Sequence, residues 1–261
     1  IMKNILYILL FMPLFYLGAQ DEGPYFIRMH VVDVEGNINA FIKANKEYYK
    51  PLATKGAEDG KWAGWAMWRS VTDTSKFIFF HHFSSPEQYA KPASIWGANE
   101  AKKLGLEPPD GSKWEMTTIR DLDLWQINGY VFDNEPSNYF VFNRFKYSYV
   151  DRKKFIDNNR AWGEMVVKPQ LGDVKGYNWV CATLLTGGNY VDQESQIVNG
   201  ISFDGFDSIE DILHRRSYKE SSEPNPYVQE FQKYAAENDL TGFSSSVASS
   251  IYQEIASSFR E

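Results

Sequence analysis

The chain has 261 residues, 43% of them hydrophobic and 23% charged, with a net charge of −7. These fractions are those of a globular protein, and the acidic balance, with a pI near 5.3, excludes a nucleic-acid partner because phosphate binding needs a basic surface. Cys181 is the only cysteine, which excludes a disulfide framework and leaves stability to the core.

The chain opens on Lys3, an apolar run Ile5–Leu17 broken by Pro13, and small residues before Gln20. This order is that of a signal peptide over 1–19. At about 13 residues the run falls short of the roughly 20 needed to span a bilayer. The expectation is an exported protein, periplasmic or extracellular, with no membrane segment in its mature form. The remaining residues, about 240, can bury the core of one large domain or of two small ones packed together.

Beyond the leader the chain repeats itself. Tyr25-Phe26, Phe41-Ile42, Asn45, Lys61 and Trp65 recur in order as Tyr139-Phe140, Phe155-Ile156, Asn159, Lys175 and Trp179, a constant spacing of 114. In chain order the first half reads as a strand over 25–32, then a helix capped by Asn37. A strand over 63–71 and a hairpin into a strand over 77–83 follow. A capping box at Ser85-Pro86-Glu87-Gln88 starts a second helix, and an insertion leads to a strand over 117–131. The second half reads likewise: strand 139–146, a helix after Asp151, strands 177–185 and 201–206, a helix after Ser208, and a strand near 246–257. Lys50-Pro51 and Lys168-Pro169 align at a spacing of 118, so the second helix is expected to be a turn longer and both to end near those prolines.

Strand-helix-strand-strand-helix-strand is the split βαβ, or ferredoxin-like, unit. It covers one sheet face with helices and leaves the other to be buried. The expected fold is therefore α+β: tandem ferredoxin-like repeats, 24–135 and 138–261, whose sheets face each other as an α+β barrel within one chain. In this order of elements the chain resembles the dimeric α+β barrel superfamily, which includes antibiotic-biosynthesis-monooxygenase-like, haem-degrading and chlorite-dismutase-like proteins. No family motif carries catalytic residues over.

Strand alternation assigns faces. Ile27, Met29, Val31, Ile78 and Phe80 are expected beneath the helices with Val141, Asn143, Phe145, Ile201 and Phe203. Trp65 and Trp179 are placed there too, and Trp62 and Trp68 opposite. The barrel interior then receives Trp68, Phe79, Phe140 and Phe142, with Arg28, His30, His81, Arg144 and Asp204 as its polar groups. An apolar cavity with few converging polar groups is the usual build of a small-molecule site, so a small, partly aromatic or acidic ligand is the expected partner. The same polar residues can instead satisfy one another as a structural network.

As an enzyme, the chain would be a cofactor-independent monooxygenase or isomerase with His30 or His81 as base. A solidly packed structural or interaction barrel is the third reading. No resident cofactor or metal is expected. A metal on His30, His81 and Asp204 lacks any local ligand spacing, and haem on His30 or His81 is implied only by the resemblance. His82 is expected to point toward the helices and His214 to be exposed. Trp96, Trp114 and Trp125 lie in the first insertion, which could form a lid over the barrel mouth. Asp121 and Asp123 read as a solvated strand edge, and Cys181 as a buried, inert thiol.

Overall fold

A computed structural model describes residues 26–90, 96–133, 136–186, 190–191, 197–216 and 225–258. The expected leader, 1–19, lies outside them. The first strand, β1 (Phe26–Gly36), ends where Gly36 takes φ of 86°. Asn37 then caps α1 (Ile38–Ala44), its side-chain oxygen accepting from the Ala40 N–H at 3.0 Å. A π-helical turn, Asn45–Tyr49, links α1 to α2 (Lys50–Glu58). Next come β2 (Gly64–Ser70), β3 (Lys76–Phe83), α3 (Pro86–Ala90), α4 (Ala98–Lys103) and the long β4 (Trp114–Val131).

The second half holds β5 (Tyr139–Tyr147), α5 (Arg152–Trp162), β6 (Asn178–Thr186), the short pair β7 (Tyr190–Val191) and β8 (Ile197–Val198), and β9 (Gly200–Phe206). It ends with α6 (Ile209–Arg216), α7 (Pro226–Glu237) and β10 (Ser244–Ser257). A π turn, Gly163–Val167, and a 3-10 turn, Lys168–Gln170, prolong α5.

Proline has no N–H and its ring clashes with the carbonyl four residues back. In each half a π turn directly precedes the Lys-Pro pair, and such a turn loosens the ladder at that point. The first helix therefore runs through Pro51 to Glu58, against expectation, while the second ends at Gln170 as expected. In both halves an asparagine ties back to a phenylalanine carbonyl one turn earlier: Asn45 to Phe41 at 2.9 Å and Asn159 to Phe155 at 2.8 Å.

The strands form a closed antiparallel barrel in the order β1-β3-β2-β10-β5-β9-β6-β4. The first half thus lies as β4-β1-β3-β2 and the second as β10-β5-β9-β6, joined where β2 meets β10 and β6 meets β4. The strand carrying Asp121 and Asp123 is internal to this barrel, not an edge; their side chains lie outside the described set.

Three apolar clusters fill the layers. One, inside the barrel, joins Ile27, Met29, Val31, Ile78, Phe80 and Trp125 to Phe140, Phe142, Ala182, Ile201 and Tyr252, with Trp68 and Phe203 packed on it. The second lies under α1 and α2 and includes Phe26, Phe41, Ala53, Trp62, Trp65 and Phe79. The third includes Val141, Trp179, Cys181, Phe206 and Ile212, under the helices of the second half.

This layering corrects several face assignments. Ile27, Met29, Val31, Ile78, Phe80, Ile201 and Phe203 point into the barrel rather than beneath the helices. Arg28, His30, Phe79 and His81, alternating with them, lie on the helix-covered face, and Trp62 packs there too. Asp204 alternates with Phe203 and lies on the outer face of the second half. His82 alternates with His81 and lies on the inner side.

In β1 the misassignment comes with a slip of one residue, whereas β3 and β9 keep their expected spacing and were inverted together. The inner pairs Met29–Phe80 and Phe142–Phe203 are equivalent cross-strand partners, so β1 matches β5 at a spacing of 113, not the 114 that holds for β2 and β6. A shift of one turns every side chain to the other sheet face. Trp65, Trp68, Phe140, Phe142, Trp179 and Val141 fall on their expected faces.

Phe142 stacks on Phe203 with ring centroids 5.0 Å apart and an interplanar angle of 7°. Phe142→Ala is therefore expected to destabilise by about 3–5 kcal/mol, read as a lower denaturant midpoint with an unchanged slope. A loss under about 1 kcal/mol would show that this position is not the centre of a packed interior.

Candidate functional site

The polar residues singled out in the sequence separate into three places. Arg28, His30, Phe79 and His81 gather on the outer face of the first half. Register sets them in rows: Trp65, His81, Arg28 and Leu124 lie side by side across β2, β3, β1 and β4, and Met67, Phe79 and His30 form the next row. The His30 Nε2 lies 3.2 Å from the Thr118 hydroxyl. Trp68, Phe140, Phe142 and Arg144 are inside the barrel, and Asp204 belongs to the second half.

The outer cluster is walled by rings. His81 packs on Trp62 at 5.5 Å and Trp96 at 6.1 Å, and the two indoles lie 5.2 Å apart. Trp65 and Phe79 close the floor at 5.9 Å, and His30 meets Phe79 at 6.0 Å. Trp62 is fixed because its indole N–H donates to the Ala53 carbonyl at 2.9 Å. Trp96 remains 36% exposed, so it is the wall that faces solvent. The expected lid is thereby corrected. Trp96 covers His81 on the outer face rather than a barrel mouth, Trp114 packs on Phe41 at 5.8 Å, and Trp125 is buried inside the barrel.

Electrostatics at this cluster is unbalanced. The Arg28 Nε is buried with no acceptor, and no carboxylate forms an ion pair with Arg28 among the described residues. The His81 Nδ1 is likewise buried without a partner. Burial, with like charge from Arg28, His82 and His30, pushes the His81 imidazole down to about 3. Burial alone pushes His82 down to about 4. At neutral pH the site is therefore one fixed cation beside a neutral imidazole.

The equivalent place in the second half is filled. There Trp179 pairs with Asp204 as Trp65 pairs with His81. Asp204 accepts from the Asn143 amide at 2.6 Å and from Arg216 of α6 at 3.1 Å. Asn143 also bonds Ser202, Ser249 and Arg216. Burial raises the Asp204 carboxyl, and Arg216 and Asn143 oppose that shift. The satisfied-network reading thus describes the second half, while in the first the Arg28 Nε and the His81 Nδ1 are left without partners. Cys181 is buried, and burial pushes its thiol up to about 12, which leaves it inert. His214 lies exposed on α6.

His30, His81 and Asp204 do not converge, and no group of three metal-ligating side chains occurs among the described residues. Trp62 and Trp96 pack on the His81 ring, and the fixed charge of Arg28 sits beside it. Neither feature suits an iron porphyrin or a divalent cation at that imidazole. Trp62 and Trp96 are the site residues that sequence reasoning put elsewhere; the apolar covering of α1 and α2 was their only signal.

No family model and no curated protein matches the chain. Solved structures do. A candidate monooxygenase from Lactobacillus acidophilus NCFM superposes with a TM-score of 0.50 at 8% identity, over 88% of this chain and 95% of that one. A candidate monooxygenase from Fusobacterium nucleatum subsp. nucleatum gives 0.50 at 12%, over 91% and 95%. An anthrone oxidase-like protein gives 0.47 at 15%, over 91% and 93%. The two likenesses at 0.50 establish the fold alone, a closed α+β barrel.

Both histidines have folded values below the 6.5 of the free side chain. The unfolded chain binds the extra protons below that pH, so their contribution is intact above 6.5 and is lost as pH falls toward 4 and then 3. The melting temperature should decline through this window, and His81→Gln should flatten the decline. An identical acid slope in the variant would contradict the burial of a neutral His81.

Proposed function

We propose that the chain is an exported, doubled ferredoxin-like barrel that binds a small planar aromatic acid between its first sheet and α1–α2. One observation carries the reading: the Nε of Arg28 is buried with no acceptor, and no carboxylate pairs with this arginine among the described residues. A buried, unpaired charge is costly, and the cost is removed only when an opposite charge arrives. A ligand carboxylate at about 4 Å gains on the order of 4 kcal/mol at an effective dielectric of 20. That gain is worth roughly a thousandfold in affinity. The indoles of Trp62 and Trp96 supply flat apolar walls for the ligand's ring.

The doubling is supported by the shared strand order, the paired asparagine–phenylalanine ties and the twin π turns. The short apolar run before Gln20 supports export. If export occurs, the protein recovered outside the cytoplasm should begin at Gln20; a retained leader would count against it.

A second reading is an enzyme of the cofactor-independent monooxygenase or isomerase kind. The unpartnered His81 Nδ1 beside Arg28 favours it, as a base next to a cation that steadies an enolate. Against it, an imidazole held near 3 is a weak base. Binding is therefore the preferred function.

Titration with planar aromatic carboxylates such as 2-naphthoate, read by quenching of tryptophan emission, tests the proposal. Arg28→Met should weaken binding at least a hundredfold and raise the melting temperature by a few degrees, since about 1 kcal/mol shifts it by roughly 2–4 °C at this size. Unchanged binding in Arg28→Met, or a lower melting temperature with binding intact, would overturn the reading. Oxygen uptake by the wild type that disappears in His81→Gln would favour the enzyme.

A further inference from the structure

A second arginine with a buried, unpartnered Nε has no place in the site just described. Arg144 alternates with Phe140 and Phe142 along β5 and so faces into the barrel, opposite Ala248 of β10. By register its counterpart in the first half is Val31, a buried member of the barrel cluster. A barrel half therefore closes with valine at this position, and the fold itself does not require a charge here.

The guanidinium of Arg144 lies over the Phe142 ring, 5.4 Å from its centroid. Its Nη2 donates to the Ser250 hydroxyl at 2.8 Å, while its Nε is buried with no acceptor. No carboxylate pairs with it among the described residues. Ser250 accepts from Nη2, so its own hydroxyl hydrogen is available to another acceptor. Ala248 pairs with Arg144 across the sheet, next to the β-bulge between Ser246 and Ala248, and bulges commonly re-aim side chains at sites. Lys146, exposed on the same side of β5, adds positive charge nearby.

We propose that Arg144 and Ser250 form a second binding site, for a small organic carboxylate, separate from the Arg28 cluster. One carboxylate oxygen takes the Nε–H of Arg144 and the other takes the Ser250 hydroxyl proton. Charge-assisted bonds of this kind are about twice as strong as neutral ones. The Phe142 ring beneath holds the guanidinium in place through its cation–π contact.

Fluorine NMR of 4-fluorobenzoate titrated into the full chain tests this, with Arg28→Met and Arg144→Gln compared singly. The expected result is one bound equivalent that survives Arg28→Met and weakens more than tenfold in Arg144→Gln. Loss in Arg28→Met alone would leave the first reading standing and overturn this one, as would equal binding by Arg144→Gln and the wild type. Should Arg144→Gln fail to fold, Ser250→Ala serves in its place: a several-fold loss of this equivalent supports the site, and wild-type affinity refutes it.

Discussion

Closure of the barrel is the constraint from which the rest follows. With no free edge, every strand of the cycle pairs on both sides, and every strand has two faces to bury. The inner faces bury one another, with Met29, Phe80, Trp125, Phe142 and Ile201 drawn from both halves. The outer faces need α1, α2, α5 and α6 as covers. Polar groups in the layer beneath those helices must be satisfied from within it or from a ligand.

That constraint makes the two halves diverge. The second half answers with its own residues: Arg216 descends from α6 onto Asp204 and Asn143, and Arg215 lies 4.2 Å from the Tyr177 ring centroid. The first half sets Arg28, His30 and His81 in the corresponding layer, where His30 meets the Thr118 hydroxyl while the Arg28 Nε and His81 Nδ1 have no partner and His81 is packed by rings.

Much of this was legible in the chain. Asn37 marked a helix start through its cap, and Ser85 and Ser208 marked two more; each accepts the backbone N–H three residues on. The recurring Phe-Asn pairs located the long helix of each half, but the Lys-Pro pairs marked the end of the second only, since the first runs on to Glu58. Trp65 and Trp179 kept their spacing because β2 and β6 are aligned without a shift. The inner and outer faces were not legible. In β1 the set Ile27-Met29-Val31 is apolar and the alternate set holds Arg28 and His30 among Phe26, Val32 and Val34, yet the apolar members of both are buried, so periodicity does not say which face meets the helices. A single offset carried through β1 inverted Arg28 and His30, and in β3 and β9 the apolar set Ile78-Phe80 and Ile201-Phe203 was given to the helices instead of the barrel, which inverted His81 and Asp204. Arg28, His30, Phe79 and His81 stayed together, since partners on one face invert together; Asp204, Arg144 and the barrel-facing aromatics were wrongly joined to them.

The central claim is that the ligand lies outside the barrel, between Arg28 and the exposed indole of Trp96. A crystal structure of the full chain grown with 2-naphthoate tests it most directly. The account requires a carboxylate in contact with the Arg28 guanidinium and a naphthyl ring against Trp62 or Trp96. Density for the ligand among Phe140, Phe142 and Phe203, with the Arg28 layer unchanged, would contradict it.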